Sequence, residues 1–225
     1  DKEGNQLPYI DQIIVTAVKD KEIEKLAYTE GRADHAHFHG QGLADVQSLR
    51  DAESKSQLEV RFWDSGSGTG SLYFFNIDFK DPKMRAVFRD PKFRQALSHA
   101  YNRADVQKAV YFGLGELTTG TFSPKAIEYN INDQGKQVYA AWRDSYVKYD
   151  PALAEQILDE AGYKKGPDGK RTMPDGSPLQ IQVTYGANAT PGGEHLSKNE
   201  RLVRDWQAIG IDAVLTPIPG EGADE

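Results

Sequence analysis

At 225 residues, with 38% hydrophobic and 27% charged side chains, the chain has apolar material for a sizeable core and the composition of an ordinary soluble protein of one large or two small domains. The net charge of −7 argues against a nucleic-acid backbone as partner, and no apolar run approaches the roughly 20 residues that span a bilayer. Cysteine is absent, which excludes disulfides and thiolate metal sites together and leaves the compartment open.

Asp1 to Gln6 are polar, lack the charged-then-apolar pattern of a leader, and read as though cut from something longer. Gln12 to Val18 (QIIVTAV) is β-branched and apolar and predicts a buried strand. Asp20 can cap a helix whose stripe is Ile23, Leu26 and Ala27, closing at Gly31. Ala33 to Phe38 reads as a second strand, Leu43, Val46 and Leu49 as a further helix, and Gln57 to Trp63 as a third strand. Strands alternating with helices predict an α/β fold in which helices cover a sheet.

Asp64 to Ser71 (DSGSGTGS) is the clearest linker, since its small residues constrain the backbone poorly. It divides the chain into part of a first lobe (1–65), a hinge (66–71) and a second lobe (72–225). Leu72 to Ile77 (LYFFNI) predicts an aromatic strand with Tyr73 and Phe75 pointing one way and Phe74 and Asn76 the other. One face must be core. The other, beside the hinge, would offer aromatic surface and an amide to a ligand in a cleft between lobes.

Met84, Val87 and Phe88 mark a helix within Asp81 to Arg89. In the next, Phe93, Ala96, Leu97, Ala100 and Tyr101 form the buried face while Arg94, Gln95 and Ser98 face water. Asn102 breaks that pattern, and a helix restarting near Arg103 carries Val106, Ala109 and Val110 towards a left-handed cap at Gly113. Thr118 to Ile131 is loop-like, and Val138, Ala141 and Trp142 mark a further helix. Asp150-Pro151 opens another, with Ala154, Ile157, Leu158 and Ala161 as its stripe and Gly162 beyond it. Two PDG turns at Pro167 and Pro174 bracket a polar segment that reads as a surface hairpin. Leu179 to Tyr185, a helix bearing Leu196, Leu202, Val203, Trp206 and Ile209, and Ile211 to Leu215 complete a β-α-β unit.

His35, His37 and His39 would share one face of a strand and could hold a metal, but nothing fixes a fourth ligand, and a solvated strand edge is the better reading. Asp64-Ser65-Gly66 matches the D-[ST]-G of an aspartic protease only superficially, because the second carboxylate copy such an enzyme needs is missing. The same glycines make no phosphate loop: a strand follows them, and no G-K-[ST] is present. With no G-x-S-x-G elbow and no cysteine nucleophile, a hydrolase on an α/β scaffold has no sequence support, and a binding protein is favoured.

Four phrases resemble a known family in the right order. They are GNQLPYIDQI from Gly4, FRQALSHAYNR from Phe93 followed by YFGLG from Tyr111, YDPALAEQILDEAGY from Tyr149, and WQAIGID from Trp206. Together they are similar to the family 5 extracellular solute-binding proteins, the dipeptide- and oligopeptide-type receptors of ABC importers. The resemblance implies an α/β, periplasmic-binding-protein-like fold of type II, cluster C, here one lobe with part of the adjoining lobe. It implies no catalysis, no cofactor and no resident metal. The implied partners are a small solute, peptide first and oligosaccharide as the alternative, and a membrane permease; the implied location is periplasmic or extracellular, at the cell envelope. Trp63, Asp64, Tyr73, Phe75 and Asn76 are the candidate ligand-binding residues, and Arg94 and Arg103 are expected to be structural. Members of this family are usually more than twice as long, so further parts of both lobes, and the acidic residue with which peptide receptors hold a ligand's amino terminus, are expected outside residues 1–225.

Overall fold

The computed structural model describes residues 1–35, 43–62, 72–186 and 194–218, which fall into two compact units, Asp1–Arg61 and Phe62–Glu225. In the first unit, α1 (Lys21–Thr29) begins where Asp20, in extended backbone, accepts hydrogen bonds from the N–H groups of Glu22 and Ile23. A 3-10 turn (Leu43–Asp45) leads into α2 (Val46–Ser56), and the Lys25 ammonium ties α1 to Asp45 at 3.0 Å. Gly31 has φ +68°, and a Cβ there would meet the Ser56 carbonyl oxygen at 3.0 Å, so the turn after α1 requires glycine. Among the described residues of this unit, Leu49 and Ala52 are the buried apolar side chains.

The strand predicted over Gln12 to Val18 is not formed: its backbone is irregular, and Ile13, Ile14 and Val15 are 77–86% exposed. Gln57 to Phe62 is likewise irregular, with Trp63 outside the described residues; of Ala33 to Phe38 only Ala33 to His35 is described, also without a ladder. A β-branched run has a propensity but brings no partner. It becomes a strand only where a neighbour completes its hydrogen bonds, and the described residues supply none here.

The second unit runs α3 (Pro82–Arg89), α4 (Pro91–Ala100), α5 (Arg103–Val110), α6 (Ile127–Asn130), α7 (Asp133–Arg143), α8 (Pro151–Glu160), β1 (Gln180–Gly186), α9 (Glu194–Ala208) and β2 (Asp212–Ile218). Three of these helices start the same way, with an Asp accepting N–H groups of the first turn and Pro at the first helical position: Asp81 before α3, Asp90 before α4 and Asp150 before α8. Asn102 caps α5 by accepting from the Asp105 N–H, which is why the helical pattern breaks and restarts there. After α5, Gly113 takes φ +79° and its N–H returns to the Gln107 carbonyl at 2.9 Å.

The core forms where α4 packs on α8 and α9 on the strands. Ala96 and Ala154 are fully buried, small enough to bring α4 and α8 together, while Phe93 lies 5.0 Å from the Tyr163 ring and Leu97 and Leu158 fill the space around them. Each such leucine contributes about 2 kcal/mol on burial. The β1 and β2 strands pair in parallel, Ile181 opposite Ala213 and Val183 opposite Leu215, with α9 as the crossover, so the β-α-β expectation holds. On β1, Ile181 and Val183 face the core and Gln180 and Gln182 face out. Trp206 of α9 ties the layers by donating its indole N–H to the Leu97 carbonyl at 3.1 Å.

Three local expectations change. Thr118 to Ile131 contains the short helix α6. On α7 the buried residue is Tyr139, with Val138 and Ala141 exposed and Trp142 at the margin. This helix packs on α6, so its inner face is set by Phe122 and Tyr129 and not by the main core. The PDG turns form antiparallel bridges, Lys165 with Arg171 and Thr172 with Pro178, on a mostly exposed segment as expected, but the segment is not polar surface throughout. Arg171 in its middle is 1% exposed, and Met173 is buried with it.

Candidate ligand-binding site

The strand predicted over Leu72 to Ile77 is not formed among the described residues, but the segment keeps the predicted alternation of exposure through Asn76. Tyr73 and Phe75 turn inward against the core: Phe75 stacks on Trp206 at 6.4 Å and tilts against Phe88 at 5.9 Å, and Tyr73 meets the Tyr101 ring edge-on at 5.8 Å. Phe74 points out and is 87% exposed. Asn76 is also exposed, but its side-chain oxygen accepts the Asp78 N–H at 3.1 Å and its carbonyl accepts the Phe79 N–H, so it shapes the turn into α3. Trp63 and Asp64 lie outside the described residues, as do His37 and His39.

Around Tyr73 the structure gathers residues that alternation alone does not mark. Tyr101 follows α4, and Arg103 opens α5. The Arg103 guanidinium lies 5.3 Å from the centre of the Tyr101 ring and donates to the Ser98 carbonyl and the Ser98 hydroxyl, each at 2.8 Å. Burial lowers its pKa, an effect that Tyr101 and Tyr73 oppose. No carboxylate among the described residues pairs with it. Burial also raises the pKa of both phenols, Tyr73 most, so each hydroxyl stays protonated at neutral pH and can act as a donor. The Tyr73 hydroxyl is buried and meets the geometry of no hydrogen bond, although Tyr101's hydroxyl is near enough to add to its shift. The expectation that Arg94 and Arg103 brace the helices is met: Arg94 donates to the Phe88 carbonyl at 2.5 Å, and Arg103 clamps Ser98.

Two residues further along α5 the charges are matched. Asp105 accepts from Arg201 at 2.6 Å and Arg204 at 2.9 Å, which hold its carboxyl below the usual range, Arg204's hydrogen bond most strongly. The buried Asp205 accepts from Arg204 and from the Asn102 backbone N–H at 2.9 Å. These pairs lock α9 onto α5 and set the stage on which Tyr101 and Arg103 sit. Sequence reading named Tyr73 and missed Tyr101, because nothing local shows that the end of α4 reaches the 72–77 segment.

Residues 3–225 match the family model described as bacterial extracellular solute-binding proteins, family 5 Middle. The chain is 31% identical over 208 residues to the dipeptide-binding protein of Escherichia coli, covering 92% of this chain and 32% of the relative. It is 29% identical over 194 residues to a probable ABC transporter-binding protein of Deinococcus radiodurans, covering 83% of this chain and 30% of that one. Among solved structures, an oligopeptide-binding protein, OppA, superposes with a TM-score of 0.64 at 27% identity over 89% of this chain and 30% of its own. The chain therefore spans about a third of the length of the curated relatives it matches.

Proposed function

Since the chain belongs to the family 5 bacterial extracellular solute-binding proteins, we propose that the whole protein of which it is a part captures a peptide and delivers it to the membrane permease of an ABC importer. The observation that carries the peptide reading is the 31% identity to a dipeptide-binding protein across 92% of the chain. In this reading residues 1–65 belong to one lobe, 66–71 to a hinge and 72–225 to a second lobe, and closure of the lobes on the solute shifts the population towards the bound state. The division into compact units near Arg61 supports such a boundary. Trp63, Asp64, Tyr73, Phe75 and Asn76 remain the proposed ligand-side residues. Phe75, packed inward on Trp206 and Phe88, is the rigid backing of the wall, with Phe74 and Asn76 on its open side. The protein works outside the cytoplasm, at the cell envelope, and turns over no substrate.

Mass spectrometry of small molecules retained by the intact purified protein tests this directly. Intact peptides in stoichiometric complex are expected. Recovery of oligosaccharide instead would move the cargo to the alternative class, for which the exposed Phe74 ring is a stacking surface. Conversion of added peptide to fragments would overturn the non-catalytic reading.

A further inference from the structure

Resting on the solute-binding reading, we infer that Arg103, with the hydroxyls of Tyr73 and Tyr101, seats a carboxylate carried by the captured solute. The guanidinium is mostly buried, and its protein acceptors are two neutral oxygens of a single residue, the Ser98 carbonyl and hydroxyl. Other guanidiniums on the α5, α8 and α9 faces have acidic partners: Arg171 has Asp159 and Glu155, Arg201 has Asp105, and Arg204 has Asp105 and Asp205. A cation taken out of water without a counter-ion is costly, and folded proteins retain one where a ligand supplies the missing charge.

The groups nearest Arg103 are of one kind. Tyr73 and Tyr101 bring phenolic O–H donors, and the buried Tyr73 hydroxyl, beside that of Tyr101, meets the geometry of no hydrogen bond. The carboxylate closest to this site, Asp205, is already engaged by Arg204 and the Asn102 N–H, so the fork of N–H donors and the O–H donors lack one thing, an acceptor of unit negative charge. A carboxylate fits: its two oxygens accept the unused guanidinium N–H groups, and its remaining lone pairs accept the phenols. The bracing of Ser98 is compatible with this, since it uses two of the five N–H donors and fixes the rest in place.

The test is affinity-selection mass spectrometry on the intact protein with an equimolar mixture of di- to pentapeptides, each present as the free acid and as the C-terminal amide, against a background of inorganic phosphate. The wild type is expected to retain acids over amides by about tenfold, the effect of a charge-assisted hydrogen-bond pair. That preference should fall to about threefold or less in Arg103→Gln, recover in part in Arg103→Lys, and weaken in Tyr73→Phe, which leaves the Ser98 brace intact. Equal retention of acids and amides by the wild type would overturn the inference and leave peptide capture standing. So would a preference that Arg103→Gln and Tyr73→Phe leave unchanged, or one abolished by phosphate alone. If no peptide of either kind is retained, the peptide reading fails and takes the inference with it.

Discussion

Arg171 and Arg103 are both guanidiniums drawn into the second unit, and their surroundings differ in kind. Arg171 donates to the Ile209 carbonyl at 2.7 Å, to the Tyr163 carbonyl and Asp159 at 2.6 Å, and more weakly to Glu155 at 3.3 Å, while its own N–H meets the Gly210 carbonyl at 2.7 Å. It pins the PDG segment to α8 and to the end of α9 and leaves little for a ligand to add. Arg103 has one neutral residue as acceptor and an orphaned phenol beside it. A buried polar group satisfied by its own chain is part of the fold's stability. One left short of an acceptor lowers stability in the free protein and is available to a ligand.

The largest consequence lies at Arg171. Replacing it with methionine keeps the volume and strands the Asp159 carboxylate and two carbonyls, Glu155 keeping Lys165, so urea unfolding should show a loss of about 3 kcal/mol, at the low end for a buried pair because Asp159 is half in water. An unchanged midpoint would break the contrast. Next is Gly210→Ala: φ is +90°, and a Cβ would sit 2.7 Å from the Gly169 carbonyl oxygen, so the pin is distorted from its other side at about 2 kcal/mol, read in the same titration. Tyr73→Phe should change stability by no more than about 0.5 kcal/mol, because the hydroxyl it removes makes no hydrogen bond of good geometry. A loss above about 1.5 kcal/mol would mean that this hydroxyl is satisfied after all.

The smallest effect is one of pH. Arg171 holds the Asp159 carboxyl below its ordinary value. A depressed folded-state pKa gives stability that is present above the unfolded value near 4 and is lost as pH falls through the folded one. Unfolding midpoints taken from pH 6 down to pH 2 should therefore fall, and fall less steeply in Arg171→Met. Equal slopes would separate Asp159 from the pin.

Much of this was legible in the sequence where the signal is local. Asp-Pro at 81, 90 and 150 marks helix starts because cap and first turn lie within a few residues, and the stripes of α4 and α8 match their buried faces. What depends on distant partners was not. QIIVTAV carries strand propensity but no ladder, and the α7 stripe was misread because Tyr139 answers to Phe122 and Tyr129. Arg171 stands between two turn motifs that signal surface, and only the tertiary arrangement brings the Ile209 carbonyl and Asp159 around it. At the candidate site the alternation of Tyr73 and Phe75 against Phe74 and Asn76 was plain, while the choice of inner face waited on Trp206, Phe88 and Tyr101.

The contrast between the two arginines is tested most directly by measuring, for Arg103→Gln and Arg171→Met side by side in the intact protein, both the urea midpoint and the calorimetric affinity of the folded state for a free-acid peptide. Arg103→Gln is expected to weaken binding about tenfold with a loss of stability near 1 kcal/mol, and Arg171→Met to lose about 3 kcal/mol of stability with its affinity unchanged. An Arg103→Gln protein that binds as tightly as wild type while unfolding as easily as Arg171→Met would contradict that contrast.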